Sequence, residues 1–101
     1  MENFVIVESN KPDKKFIALY LSPNGKLKKI YFGANGYDDF TLTGNIKQKQ
    51  LYISRHQTRE DWNDIYTAGF FSRYILWNES TIDKSIEATN KKFNINIMRL
   101  R

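Results

Sequence analysis

Hydrophobic and polar positions change rhythm several times along this chain. Residues 3–8, "NFVIVE", read as a short strand with apolar side chains on both faces. After the polar turn "SNKPDKK", the runs "KFIALYL" (15–21) and "LKKIYFG" (27–33) flank "SPNGK". Two β-rich runs around Pro-Asn-Gly predict a β-hairpin, with Asn24 and Gly25 expected to take the positive φ of its turn. Residues 1–33 are therefore expected to be antiparallel strands, as a hairpin or a three-stranded meander.

Beyond the turn-rich "ANGYDDFTLTG", residues 43–93 take on helical spacing. A helix starting after Thr43 runs through "NIKQKQLYISRHQ". It places Ile46, Gln50 and Ile53 on one stripe, and Tyr52 with His56 on a neighbouring one. The segment "TAGFFSRYILW" (67–77) is apolar almost all round, which predicts a helix buried on most sides with Thr67 as its N-cap. Residues 80–93, "STIDKSIEATNKKF", form an amphipathic pattern. Ser80 is the expected cap, with Asp83 three residues on, and Ile82, Ile86 and Phe93 point inward. Residues 94–101 alternate, Ile95 and Ile97 against Asn94 and Asn96, as an edge strand or an extended arm laid on a partner. The fold class is α+β: a small N-terminal antiparallel sheet packed with about three helices in a single domain, residues 1–101.

Composition narrows the chemistry. An apolar content of 41%, with 15% aromatic residues, is enough to build one core in 101 residues. No apolar run approaches membrane-spanning length and no leader pattern is present, so a protein that is neither inserted in a membrane nor secreted is expected. With no cysteine, disulfides, thiolate zinc sites and cysteine nucleophiles are excluded. The single histidine rules out any two-histidine motif. The acids are scattered, without a calcium-loop spacing, so no metal and no cofactor is expected.

The net charge of +5 is unevenly placed. Residues 1–33 carry six lysines and three acids, residues 34–90 six bases and eight acids, and residues 91–101 four bases and no acid. Basic character thus sits at the two ends. Lys14, Lys15, Lys26, Lys28 and Lys29 on the hairpin, with Lys91, Lys92, Arg99 and Arg101 near the end, are candidate nucleic-acid contacts, and Tyr20 and Tyr31 could stack on a single strand. Lysines also blunt sheet edges, which is the competing reading.

The densest polar stretch is "RHQTREDWND", residues 55–64, in the acidic middle segment. His56 and Glu60, at i and i+4, could act as acid and base with Arg59 on a phosphate. Acid and base must flank a substrate from two sides, however, and neighbours on one helix seldom do. The cluster Arg55, His56, Arg59, Trp62, Asp64 and Arg73 is therefore read first as a joint. His56 bonds across to the next helix, Trp62 anchors in the core, and Asn63 or Asp64 satisfies free amides at the next helix start. Arg73, inside an apolar helix, is expected to pair with Asp61, Asp64 or Asp39. No residue is assigned a catalytic role.

The ordered pattern Phe32-Gly33-Ala34, Gly36-Tyr37, Asp39, Arg55-His56, Trp62-Asn63-Asp64, Thr67-Ala68-Gly69, Ser72-Arg73 and Leu76-Trp77 resembles an uncharacterised family of short proteins encoded by nucleocytoplasmic large DNA viruses. The resemblance covers roughly residues 15–93. Members often carry a proline shortly after the Trp-Asn-Asp step, where this chain has Ile65. The resemblance brings no activity, and it implies a viral setting, in the virion or the host cytoplasm. The resulting expectation is a non-enzymatic binding or structural protein, a minor virion component with viral or host protein partners, homo-oligomerisation included. The alternative is a small basic DNA- or RNA-binding protein using the hairpin and the C-terminal arm. A nuclease using His56 ranks third.

Overall fold

The computed structural model describes residues 1–101. The elements are β1 (Asn3–Glu8), β2 (Lys14–Leu21), β3 (Leu27–Ala34), α1 (Phe40–Thr43), α2 (Ile46–His56), α3 (Ala68–Phe71), α4 (Ile82–Phe93) and β4 (Asn96–Arg99). Residues Ser72–Leu76 continue α3 as a π-helical turn. The sheet order is β3-β2-β1-β4. Strands β1 to β3 form the antiparallel meander, and β4 pairs with β1 in parallel. This is an α+β fold.

The hairpin turn forms around "SPNG" as expected, but only Gly25 has positive φ, at 81°; Asn24 does not. Gly25 N–H donates to the Ser22 carbonyl at 2.8 Å and Ser22 N–H to the Lys26 carbonyl at 2.9 Å, so a single left-handed residue closes the loop.

One face of the sheet carries the core. Phe4 and Ile6 of β1, Ala18 of β2, Phe32 of β3 and Ile97 of β4 are buried against Phe70, Phe71, Ile75 and Leu76. The rings interlock edge-on: Phe71 meets Phe4 at 5.2 Å, and Phe70 meets Phe93 of α4 at 5.0 Å. Such pairs add to the burial term because ring edges and faces carry opposite partial charge.

The C-terminal segment is a strand of this sheet, not an arm reaching for a partner. Asn96 N–H donates to the Glu2 carbonyl and Leu100 N–H to the Ile6 carbonyl, both at 2.9 Å. On the other side the Asn90 amide of α4 imitates a strand. Its Oδ1 accepts from Ile97 N–H at 2.8 Å, and its Nδ2 donates to the Ile97 carbonyl at 3.1 Å. That side chain occupies the free edge of β4 at Ile97 and closes it to further pairing there.

The helical part differs from expectation in three places. It begins earlier, at Phe40, where Asp39 Oδ1 accepts from Thr41 N–H at 2.8 Å and caps α1. The cap of α4 is Thr81, which accepts from Lys84 N–H, and Ser80 lies in the preceding turn. The stripe proposed for α2 is wrong. Ile46 is 64% exposed, and Tyr52 is the one buried residue of this helix. Thr67 caps α3 as expected, accepting from Phe70 N–H at 3.1 Å. No helix is long and apolar enough to cross a membrane.

Candidate functional site

A cleft of about 630 Å³ opens between the end of β3, helix α2 and the π-helical turn. Its floor is Phe32, Gly33 and Leu76; its walls include Lys14, Tyr37 and Asp38 on one side and Tyr52, Arg55 and His56 on the other. That volume lies within the range of small-ligand sites.

The π turn is what shapes the inner end. Trp77 N–H donates to the Ser72 carbonyl five residues back, at 3.1 Å, and Ser72, Leu76 and Trp77 all line the cleft. An extra residue per turn frees a carbonyl from the regular ladder. The Tyr74 carbonyl accepts from Thr89 Oγ1 at 3.1 Å and Asn78 Nδ2 at 3.2 Å, so α4 secures the distortion from behind. Turns of this type concentrate at functional sites.

Three rings from two segments stack along one wall. Tyr52 lies 4.6 Å from Trp77 at an interplanar angle of 6°, and His56 lies 4.3 Å from Tyr52 at 25°. Burial, and then the nearby Glu60 carboxylate, push the Tyr52 phenol well above its ordinary range, so it stays a neutral donor. The His56 side chain is 38% exposed and sits 3.8 Å from Glu60, an ion-pair separation too long for a hydrogen bond. It makes no bond across to the next helix; its ring packs on its own helix neighbour instead. Glu60 accepts from Trp62 Nε1 at 2.8 Å. Its carboxylate also lies over Gly69, where any Cβ would come within 2.9 Å of it.

Opposite the aromatic wall, Lys15 Nζ donates to Asp39 Oδ2 and to the Tyr37 carbonyl, each at 2.6 Å. The side chains of this pair are 13% and 3% exposed. The bond fixes the backbone of residues 37–39 while leaving the Tyr37 ring 73% exposed at the mouth of the cleft. Gly33, with φ of 80°, admits Leu76, whose Cδ1 would lie 2.8 Å from a Cβ there.

The joint residues are thus split. Arg55 and His56 line the cleft, whereas Trp62, Asp64 and Arg73 lie outside it. Trp62 is half-buried rather than in the core. Asp64 Oδ1 accepts from Tyr66 N–H at 3.0 Å, one step short of α3, and Arg59 is exposed in the turn after α2. Arg73 pairs with none of Asp39, Asp61 or Asp64. Its Nη1 donates to the Trp77 carbonyl at 2.8 Å, its guanidinium lies over the Tyr74 ring at 4.9 Å, and its Nε has no partner. Burial lowers its pKa from the ordinary value. The helix end and the rings, not a carboxylate, accommodate the charge.

The basic residues do not converge. Lys28 and Lys29 lie on the β3 edge and Arg99 on the β4 edge, with two strands between. Lys15 is bound to Asp39, Arg101 to Asp83 and Lys91 to Glu87. Arg99 lies over the Phe16 ring, and Lys92 over Phe93. Lys26 projects from the hairpin turn, and Lys14 reaches the cleft.

A protein family described as one of unknown function, DUF5754, matches residues 4–56. The chain belongs to that family. The matched segment of DUF5754 spans β1 to α2, and so supplies Lys14, Tyr37, Asp38, Tyr52, Arg55 and His56 to the cleft; the π turn and Trp77 lie beyond it. No curated protein and no solved structure matches the chain.

The sequence drew attention to Arg55 and His56 but missed Tyr37, Asp38, Tyr52 and Trp77 as partners in one site. The available signal was Tyr52 placed with His56 on one stripe. Nothing in local spacing announces that Trp77 will stack on them.

Proposed function

We propose that this protein is a non-enzymatic binding protein whose working surface is the cleft between α2, the end of β3 and the π turn. The observation that carries this reading is the coincidence, in one cleft, of a π-helical turn with the His56–Tyr52–Trp77 stack. A binding role accounts for the polar groups better than catalysis does. Glu60 is already engaged by Trp62, and His56 and Glu60 approach each other from one side, so they cannot flank a substrate as acid and base. The setting is that implied by the viral resemblance, a large DNA virus, with the protein in the virion or the host cytoplasm.

The test is a ligand screen by two-dimensional NMR. The panel holds phosphorylated metabolites, short single strands and peptides. Binders should move the amides of Arg55, His56 and Ser72 and the Trp77 indole, and should be recovered chemically unchanged. If every binder maps elsewhere, or a ligand is consumed, the reading fails.

A second reading, nucleic-acid binding by the hairpin edge, rests on Lys26, Lys28 and Lys29 being exposed and free of ion pairs. It requires a salt-sensitive affinity that drops when Lys28 and Lys29 are replaced by glutamine. Affinity that ignores both changes eliminates it.

A further inference from the structure

Strand β3 is the long free edge of the sheet, because β2 is its sole neighbour and the Asn90 side chain occupies the edge of β4. Ser9 N–H donates to the Lys15 carbonyl at 3.0 Å, in the register that pairs Val5 with Leu19. The odd residues of β2 therefore turn their backbone toward β1, and the even ones turn theirs toward β3. Phe16, Ala18 and Tyr20 oppose Phe32, Ile30 and Lys28, so these even residues of β3 are the ones bonded to β2. Leu27, Lys29 and Tyr31 direct their N–H and carbonyl groups outward instead. None of those outward groups has a hydrogen-bond partner in the chain.

The open edge runs into the cleft. Residues 31–34 line it from the strand, and Gln48, Leu51, Tyr52 and Arg55 line it from α2. Those four helix positions are i, i+3, i+4 and i+7, a single helical face. An edge strand with a helix face across a groove from it suits an extended peptide that adds to the sheet through main-chain bonds. Such addition needs no net charge in the groove, since the strand itself supplies donors and acceptors in alternation.

Charge selects among the strands that could do this. β3 carries Lys28 and Lys29 and no acid, and neither lysine is in an ion pair. A second copy of β3 would bring its own lysines to the same edge, and like charges across strands repel. An acidic strand meets opposite charge there. Resting on the cleft being the binding site, we infer that β3 receives an extended acidic segment of a partner protein as a fifth strand. Its main chain bonds Leu27, Lys29 and Tyr31, and its acidic side chains stand beside Lys29. Its alternate, apolar side chains turn to the cleft side, where Leu51 of α2 is 52% exposed.

The full chain is titrated with an end-blocked octapeptide alternating valine and glutamate, and with its valine–lysine counterpart, while NMR follows shifts and amide exchange. Strand addition has a signature of alternate residues. Exchange at Leu27, Lys29 and Tyr31 should slow when the glutamate peptide binds, whereas Lys28, Ile30 and Phe32, already bonded to β2, should change little. The glutamate peptide should bind about fivefold more tightly than the lysine peptide, and Lys29→Gln should narrow that gap. Lys29→Pro removes an outward N–H and no bond to β2, so it should keep the fold and weaken the peptide by about fivefold or more. Where the proline variant melts early, the exchange pattern and Lys29→Gln decide.

Protection that rises equally at odd and even residues of β3, or on α2 alone, overturns strand addition. Equal affinity for the two peptides overturns the acidic partner. If metabolites or single strands move the Arg55 amide and Trp77 indole and neither peptide does, the partner class is wrong while the cleft remains a binding site. Alternate protection with Arg55 and Trp77 unmoved keeps the added strand and removes the cleft reading. If nothing moves any of these signals, both fall together.

Discussion

Helices α2 and α4 are nearly equal in length, at 11 and 12 residues, yet they are held in opposite ways. Helix α4 buries Ser85, Ile86 and Thr89 and lies along the π turn and β4. Its polar contacts face inward, Ser85 accepting from Glu79 N–H and Thr89 donating to the Tyr74 carbonyl. Helix α2 buries Tyr52 alone and leaves Ile46 and Leu51 64% and 52% exposed. It is tethered by one aromatic stack and by Lys49 Nζ donating to the Asn78 carbonyl at 2.6 Å. One helix is part of the core and the other is a wall held at few points. Binding surfaces are drawn from weakly held elements because they must adapt to a ligand.

The contrast can be broken first from the core side. Phe70→Ala removes a ring that touches both Phe71 and Phe93. It should cost about 4 kcal/mol, seen as loss of strand and helix signals together in one denaturant transition. Asp39→Ala comes next. It leaves the Lys15 ammonium buried without its partner and uncaps α1, at about 3 kcal/mol, and Lys15→Met in the same chain should recover much of that loss. Tyr52→Ala should cost about 2 kcal/mol overall. Its diagnostic is local: amide-exchange protection over residues 46–56 should collapse while that over 82–93 persists. Equal loss in both helices would mean that α2 is not a separable wall.

The smallest effect is a pH dependence on the loop that joins the two regions. The Tyr66 phenol donates to the Glu2 carboxylate, and that bond, ahead of every other influence, pushes its pKa up from 10.0 to about 12. A group whose folded pKa is raised stabilises the fold fully below its unfolded value, and that support is lost as pH climbs through the folded one. Melting temperature should therefore fall between pH 10 and about 12. Tyr66→Phe should show a flatter profile over that window, checked against phenolate absorbance.

What could be read from the sequence follows from how local each cause is. The hairpin and β4 were legible because alternation is set residue by residue, and the Thr67 cap because a hydroxyl bonds an amide three residues on. The cap at Thr81 was misassigned to its neighbour Ser80, since both are hydroxyl residues ahead of the same apolar pattern. Helix α2 was misread because Ile46 and Ile53 suggest an inward stripe, while tertiary stacking selects Tyr52. The Lys15–Asp39 pair joins residues 24 apart. No spacing rule reaches that far, and lysine on a strand reads by default as a surface charge. Arg73 was right to draw attention as a buried cation, but its partners are a carbonyl and aromatic faces, which carry no sequence signature.

The parallel pairing of β4 with β1 also sets a schedule. Asn96 donates its amide to the Asn3 side chain across 93 positions of sequence. The meander, by contrast, closes between near neighbours within the first 34 residues. During synthesis the hairpin strands can pair early, whereas one flank of β1 stays open until residues 96–99 have emerged. The step that completes this sheet is then the capture of a short strand by a waiting meander. Anything that delays Asn90 and Ile97 leaves a young molecule with a sticky seam.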